Sequence, residues 1–340
     1  MASTDREFRK FNTSIRLSDS SRANLRESRN AVRNTILNQF KTNGIPVMPE
    51  FKAQGSFVMD TIVNPIDSDY DLDLGVYFIG DLAPHERPSP RDFHEAVLQA
   101  VKDQTHEVYD KDACVRVRYV EKYHIDLPIY YRSYTHPELA HKKDGWIWSD
   151  PLEFIAWFEK MADSGFRIDY LLNEALRPDF ERWKEDVRKK DVQLRHIVRF
   201  LKAWAEYQGK EEMPGGICLT ILAAESYVRD INDDVSFHRT VERIHAKLLH
   251  KYQCLRPTTP VGEDLFAKCT VAQRDYFMTR LQALVEDGRI ALRADSSGEA
   301  CGIWQRHFGG RFQCTPPEKV KVEVAPLAAS IGSSARPYCQ

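Results

Sequence analysis

The residues best suited to chemistry lie in one short stretch, GSFVMDTIVNPIDSDYDLDLGVYF, residues 55–78. In a strand beginning at Tyr70, Leu72, Leu74, Val76 and Phe78 share one face, and Asp71 and Asp73 share the other, because side chains alternate with a period of two. The stretch Tyr123-His124-Ile125-Asp126-Leu127-Pro128-Ile129 repeats this pattern, with Ile125, Leu127 and Ile129 on the apolar face and Asp126 opposite. If the two strands are neighbours, three carboxylates meet. Such a cluster repels itself and takes up protons unless cations compensate. Divalent ions that prefer oxygen ligands, Mg²⁺ or Mn²⁺, supply that compensation. Two of them, roughly 3.5–4 Å apart, can activate a hydroxyl and stabilise a departing phosphate oxygen, which is the chemistry of nucleotidyl transfer. Gly55-Ser56 suits the other half of that task. Glycine lets the backbone approach a phosphate, and the serine hydroxyl with the N–H groups opening a short helix can bind the anion.

Each device has an ordinary counterpart. A Gly-Ser pair marks many turns, and Asp-x-Asp marks many solvated strand edges. Asp67, Asp69, Asp71 and Asp73 also suggest a calcium loop, but Leu72 or Leu74 stands where that loop needs glycine, and Phe78 or Gly80 where it needs glutamate. What distinguishes this chain is the order: Gly-Ser, an Asp-x-Asp strand, then a lone aspartate in an apolar strand.

The elements that must position these groups follow from periodicity. Ser18, Ser20 or Ser21 caps a long helix whose stripe Leu25, Val32, Ile36 and Phe40 runs until Gly44. Strands are expected at Tyr70 to Phe78, Ala113 to Val120 and Tyr123 to Tyr131. Asp150-Pro151-Leu152-Glu153 offers an N-cap, a proline at the first helical position and a capping-box glutamate. Helices are expected from there at about 151–162, 168–176, 191–207, 215–229, 237–251 and 271–287. The result is an α/β (α+β) chain with a mixed-sheet core at 1–150, a helical lobe at 151–312, and a flexible Pro-, Ala- and Ser-rich tail at 313–340.

QGSFVMDTIVNPIDSDYDLDLGVYF, residues 54–78, resembles the signature of the bacterial cGAS/DncV-like nucleotidyltransferases of cyclic-oligonucleotide anti-phage signalling. The resemblance extends less sharply to about residue 229. It implies a polymerase-β-like core, a helical lobe and an active site in the cleft between them. It also implies a metal triad of Asp71, Asp73 and Asp126 holding two Mg²⁺ ions, and ATP and GTP as substrates joined into a cyclic di- or trinucleotide for a separate effector protein to sense. Gln54, Gly55 and Ser56 become substrate contacts. Phe200-Leu201-Lys202-Ala203-Trp204 is similar to the family's helix bearing a triphosphate-binding lysine, which singles out Lys202. Met213-Pro214-Gly215-Gly216 departs from the pattern, which often has a serine between proline and glycine, so the N–H groups of Gly215 and Gly216 would serve instead. Transfer of a nucleotide to an RNA, small-molecule or protein acceptor suits the same site. So does a non-catalytic nucleotide-binding role.

Arg116 and Arg118 alternate with Val115, Val117 and Tyr119, and are read either as facing the cleft or as half-exposed strand residues. Arg195 and Arg199, one turn apart and leading to Lys202, either extend a phosphate-binding face or form a solvated stripe. His124 shares a face with Asp126 and is read as supporting the site. Trp204, Trp304 and Tyr227 are read as core.

Composition narrows the remaining classes. In 340 residues, 42% hydrophobic and 29% charged residues allow a proper core, and a net charge of −2 gives no electrostatic reason to bind long duplex nucleic acid. The seven cysteines are dispersed, without zinc spacing, and are expected as free thiols in a reducing compartment. No signal-peptide pattern or run of eighteen apolar residues is present, so a cytoplasmic protein without a membrane partner is expected. The tail is a candidate site for a regulatory partner.

Overall fold

The computed structural model describes residues 3–314 apart from 67–69, 84, 121–122, 134–135, 173–175 and 210. Helix α1 (Asp5–Ile15) and the long α2 (Asp19–Thr42) lead into strand β1 (Glu50–Gln54), a one-turn helix α3 (Gly55–Val58) and strand β2 (Tyr70–Ile79). Helix α4 (Pro90–Val101) precedes β3 (Glu107–Asp110), β4 (Val115–Tyr119), β5 (Tyr123–Leu127), β6 (Ile129–Arg132), β7 (Glu138–His141) and β8 (Gly145–Trp148). The rest is helical: α5 (Pro151–Met161), α6 (Asp169–Leu172), α7 (Arg177–Lys190), α8 (Gln193–Gly209), α9 (Gly216–Ser226), α10 (Asp233–His250), α11 (Val271–Ala291) and α12 (Ser297–Phe308).

One mixed sheet carries all eight strands. β2 is its axis, antiparallel to β1 on one side and parallel to both β5 and β6. Tyr70 faces Tyr123 and Val76 faces Ile129, so β5 and β6 keep one register against β2 and form a single strand interrupted at Pro128. Proline has no N–H to donate to a ladder, which accounts for the break. The strand expected over 123–131 is therefore present in two pieces. From it the sheet extends through β5 to β4 and β3, and through β6 to β7 and β8.

Two apolar cores result. The first lies between the sheet and α2 and α4: Leu25, Val32, Ile36 and Phe40 of α2 pack with Leu72, Leu74, Val76, Ile125, Leu127 and Ile129, all buried. The alternation that puts these residues inward turns the aspartates outward. The second core is helical and includes α1, whose Phe8 ring meets Phe200, Phe237, Trp304 and Phe312 at centroid distances of 5.0–5.7 Å.

Several expectations change. Ser18 does cap α2, accepting from the N–H of Ser21, and Asp150 caps α5 through the N–H groups of Leu152 and Glu153. The helix expected at 168–176 is described only over Asp169–Leu172, and α1, α4, α7, α12 and the short strands β1, β3, β7 and β8 are additions. Cys301 is bonded to Cys314, which corrects the expectation that all the thiols are free. Cys114, Cys218, Cys254 and Cys269 are free. That bond fastens the first residues of the stretch read as a tail; residues 315–340 lie outside the described residues. Among the described residues no helix is long and apolar enough to cross a membrane.

Candidate active site

β2 and β5 run parallel with Asp73 opposite Asp126 and Asp71 opposite His124. The register therefore puts three carboxylates and an imidazole on one face at the end of two adjacent strands. Ligand atoms of Asp71, His124 and Asp126 lie within 4.8 Å of one another. Asp73 sits deeper: burial, then the charges of Asp71 and Asp126, raise its carboxyl well above the usual carboxylate range. A half-buried group so destabilised as an anion, among oxygen donors, fits a site for divalent cations. Arg116 reaches Asp126 across the β4–β5 ladder and donates twice, Nε to Oδ1 at 2.6 Å and Nη2 to Oδ2 at 2.7 Å. Burial works against the guanidinium's charge, but these bonds outweigh it and hold Arg116 above its ordinary value.

The turn beside this cluster is built for close approach. β1 ends at Gln54, opposite Asp73, and Gly55 opens α3 with φ +71°, a left-handed conformation suited to glycine. A Cβ on Gly55 would lie 2.0 Å from Oδ2 of Asp73. Glycine here thus admits the carboxylate as well as the turn. Gln54 is buried, donating from Nε2 to Tyr130 and accepting from Tyr77. It helps fix β1 against the sheet and, with Gly55 and Ser56, lines the opening.

The opposite wall comes from the helices. Lys202 of α8 donates from Nζ to the backbone oxygen of Thr61 at 3.2 Å, and burial pushes its ammonium down to about 8. Gly215 is the N-cap of α9 and has no capping side chain, so the first N–H groups of that helix open toward Lys202; a Cβ on Gly216 would lie 3.4 Å from Lys202 Cε. A cleft of about 800 Å³ joins the walls and is lined by Gly55, Ser56, Asp71, Asp73, Asp126, Lys202, Gly215 and Gly216 together with Arg116 and His124.

Arg199 requires correction. It does not line this cleft: its fully buried guanidinium donates to the oxygen of Asp60 at 2.6 Å and to Asp191 at 2.6 Å. Arg195 is likewise buried, paired with Glu159, so the two arginines form neither a phosphate-binding face nor a solvated stripe. Trp204 and Trp304 are core, as read. Cleft residues that sequence reasoning missed include Tyr130, Phe154, Glu206 and Arg256. Tyr130 is readable only as a strand aromatic, and Arg256 comes from a loop without periodicity.

Residues 49–130 match the family described as cyclic GMP-AMP synthase DncV-like, nucleotidyltransferase domain. That stretch of the chain is thus similar to the nucleotidyltransferase domain of the bacterial DncV-like cyclic GMP-AMP synthases. Among characterised relatives, the cyclic GMP-AMP synthase of Escherichia albertii is 26% identical over 58% of this chain and 42% of its own length. That of Escherichia coli strain TW11681 is 26% identical over 60% of this chain and 53% of its own. The chain thus spans about half the length of the curated relatives it matches. Crystal structures of Vibrio cholerae DncV with nonhydrolyzable GTP and of Escherichia coli DncV with 3'-deoxy GTP superpose with a TM-score of 0.69. Each covers 88% of this chain and 93% of its own, at 20% and 18% identity. The fold of this chain is thus the polymerase-β-like core with its helical lobe.

Proposed function

We propose that this chain is a metal-dependent nucleotidyltransferase that joins two purine nucleoside triphosphates into a cyclic dinucleotide, releasing pyrophosphate. The observation that carries the reading is the convergence of Asp71, Asp73 and Asp126 beside the Gly55–Ser56 turn, across a cleft from Lys202. Asp71, Asp73 and Asp126 would hold Mg²⁺ or Mn²⁺, which supplies positive charge to the triphosphate and lowers the cost of deprotonating an attacking hydroxyl.

The chain's own residues orient the reactants. The Gly55–Ser56 turn grips the triphosphate of the donor nucleotide from the sheet side, and Lys202 with the N–H groups of Gly215 and Gly216 meets it from the helical side. A ribose hydroxyl of the second nucleotide, held against the β2–β5 face, then attacks the α-phosphorus in line, and pyrophosphate departs. Repetition on the linear product closes the ring. Catalysis is mainly positioning and charge neutralisation. A structure of Vibrio cholerae DncV holds the linear intermediate 5'-pppA(3',5')pG, and another holds ATP and GTP. Those complexes support ATP and GTP as the substrates here, and a signalling product read by a separate effector in anti-phage defence accords with the family.

The test is a mass spectrum of the purified protein incubated with the four nucleoside triphosphates and Mg²⁺. A phosphatase-resistant cyclic product formed without added acceptor is the expected result. Product only after adding an RNA, a small molecule or a protein would replace cyclisation by transfer to that acceptor, and no pyrophosphate at all would leave a nucleotide-binding role.

A further inference from the structure

Behind the phosphate turn lies a buried ionic knot that the reaction as described does not use. Asp60 follows α3 with φ +52°, a left-handed backbone that Asp tolerates better than most residues. Its carboxylate is almost fully buried and takes Arg22 on Oδ1 at 2.5 Å and Arg16 on Oδ2 at 2.9 Å. Its backbone oxygen accepts from Arg199 Nη1 at 2.6 Å. Arg16 and Arg199 also share Asp191, at 3.1 and 2.6 Å, and Asn12 bridges Asp191 and Arg199. Asp60, Arg16, Arg22 and Arg199 are all absent from the cleft lining.

The knot nevertheless touches both halves of the triphosphate grip. The residue after Asp60, Thr61, donates its N–H to the oxygen of Ser56 at 3.0 Å, closing the turn on itself. The backbone oxygen of the same Thr61 accepts from Lys202 Nζ at 3.2 Å. Arg199 and Lys202 stand three residues apart on α8, so that helix grips the Asp60–Thr61 segment at two successive points. Buried ion pairs are weak contributors to stability, because desolvation offsets most of their attraction. Three guanidiniums converging on the segment behind the phosphate turn are better explained by position than by stability.

We infer that Asp60 is a positioning residue, whose carboxylate and carbonyl lock the Gly55–Ser56 turn to Lys202 so that both sides of the grip meet a triphosphate in register. This rests on the reading of the cleft as a triphosphate site. The experiment uses the full chain and a nonhydrolysable ATP analogue with Mg²⁺. Asp60→Asn removes the charge while keeping the volume and the left-handed backbone. Arg16→Gln, at the knot's rim with 24% side-chain exposure, removes one arm and is the variant to read if Asp60→Asn fails to fold. Each is combined with Lys202→Ala, with folding followed by circular dichroism.

Analogue binding is expected to weaken roughly 10- to 100-fold in the folded variant, with KM rising more than kcat falls. The penalty of Lys202→Ala should shrink in that background, because the lysine is already misplaced. Wild-type affinity in the folded variant, or a Lys202→Ala penalty that adds in full, would overturn the inference. If the wild-type chain itself does not bind the analogue, the functional reading fails first and takes the inference with it.

Discussion

Asp60, Asp191 and Asp233 make one acidic cluster, Asp71, Asp73 and Asp126 make another, and the two are in opposite condition. In the first, cations are built in: Arg16, Arg22 and Arg199 on Asp60 and Asp191, and His196 between Asp191 and Asp233 at 3.1 and 2.7 Å. Burial alone would raise Asp191 and Asp233, but hydrogen bonds from His196 and the cations around them hold both below the usual carboxylate range. In the second, Arg116 pairs with Asp126, while Asp71 and Asp73 have no ion-pair partner among the described residues, and Asp73 is pushed the other way. A cluster that carries its own counter-charges is finished. One that lacks them is prepared for charge brought from outside.

The sharpest way to break this contrast is to remove charge from each side. Asp71→Asn with Asp73→Asn should lower pyrophosphate release by about 10³-fold or more, while the metal-free melting temperature stays level or rises because mutual repulsion is relieved. A fall in melting temperature would place the pair with the structural cluster. Asp191→Asn should do the reverse, destabilising the fold by about 3–5 kcal/mol in urea titrations, because buried guanidinium charge loses its partner.

Smaller effects sharpen the comparison. Lys202→Ala should raise KM for the triphosphate roughly 10- to 100-fold, the range for a lost charge-assisted hydrogen bond. Burial pushes Lys202 down to about 8. Analogue affinity should therefore decline as pH passes about 8, and the variant should lose that slope. His196 works through stability. Burial opposes its charge, yet Asp191 and Asp233 raise it above 6.5. Its contribution is complete below 6.5 and lost as pH rises through the raised value. Melting curves across that range should fall toward alkaline pH for the wild type and flatten for His196→Gln.

The sequence made the second cluster legible and hid the first. Asp71, Asp73 and Asp126 could be read because each sits in a strand whose apolar neighbours fix its direction, and the register of Asp73 on Asp126 follows from pairing those strands. Arg195 and Arg199 could not, since a buried arginine and a solvated one look alike on a helix when their partners, Glu159, Asp60 and Asp191, are remote or lie in loops. The strands β1, β3, β7 and β8, of four or five residues, are too short to show a period and exist through their ladder partners. The Cys301–Cys314 pairing depends on the 3₁₀ turn at Gly309–Arg311, which brings the chain back over α12.

The place of α1 has a consequence for how the chain is made. Phe8 and Phe11 are completed by Phe308 and Phe312, at the far end of the described chain. During synthesis α1 leaves the ribosome early, but its binding site is finished only when α12 emerges. The sheet can condense around α2 well before that. In the interval α1 is an amphipathic segment with two exposed phenylalanines, tethered to an already folded neighbour and waiting for the last piece of its pocket.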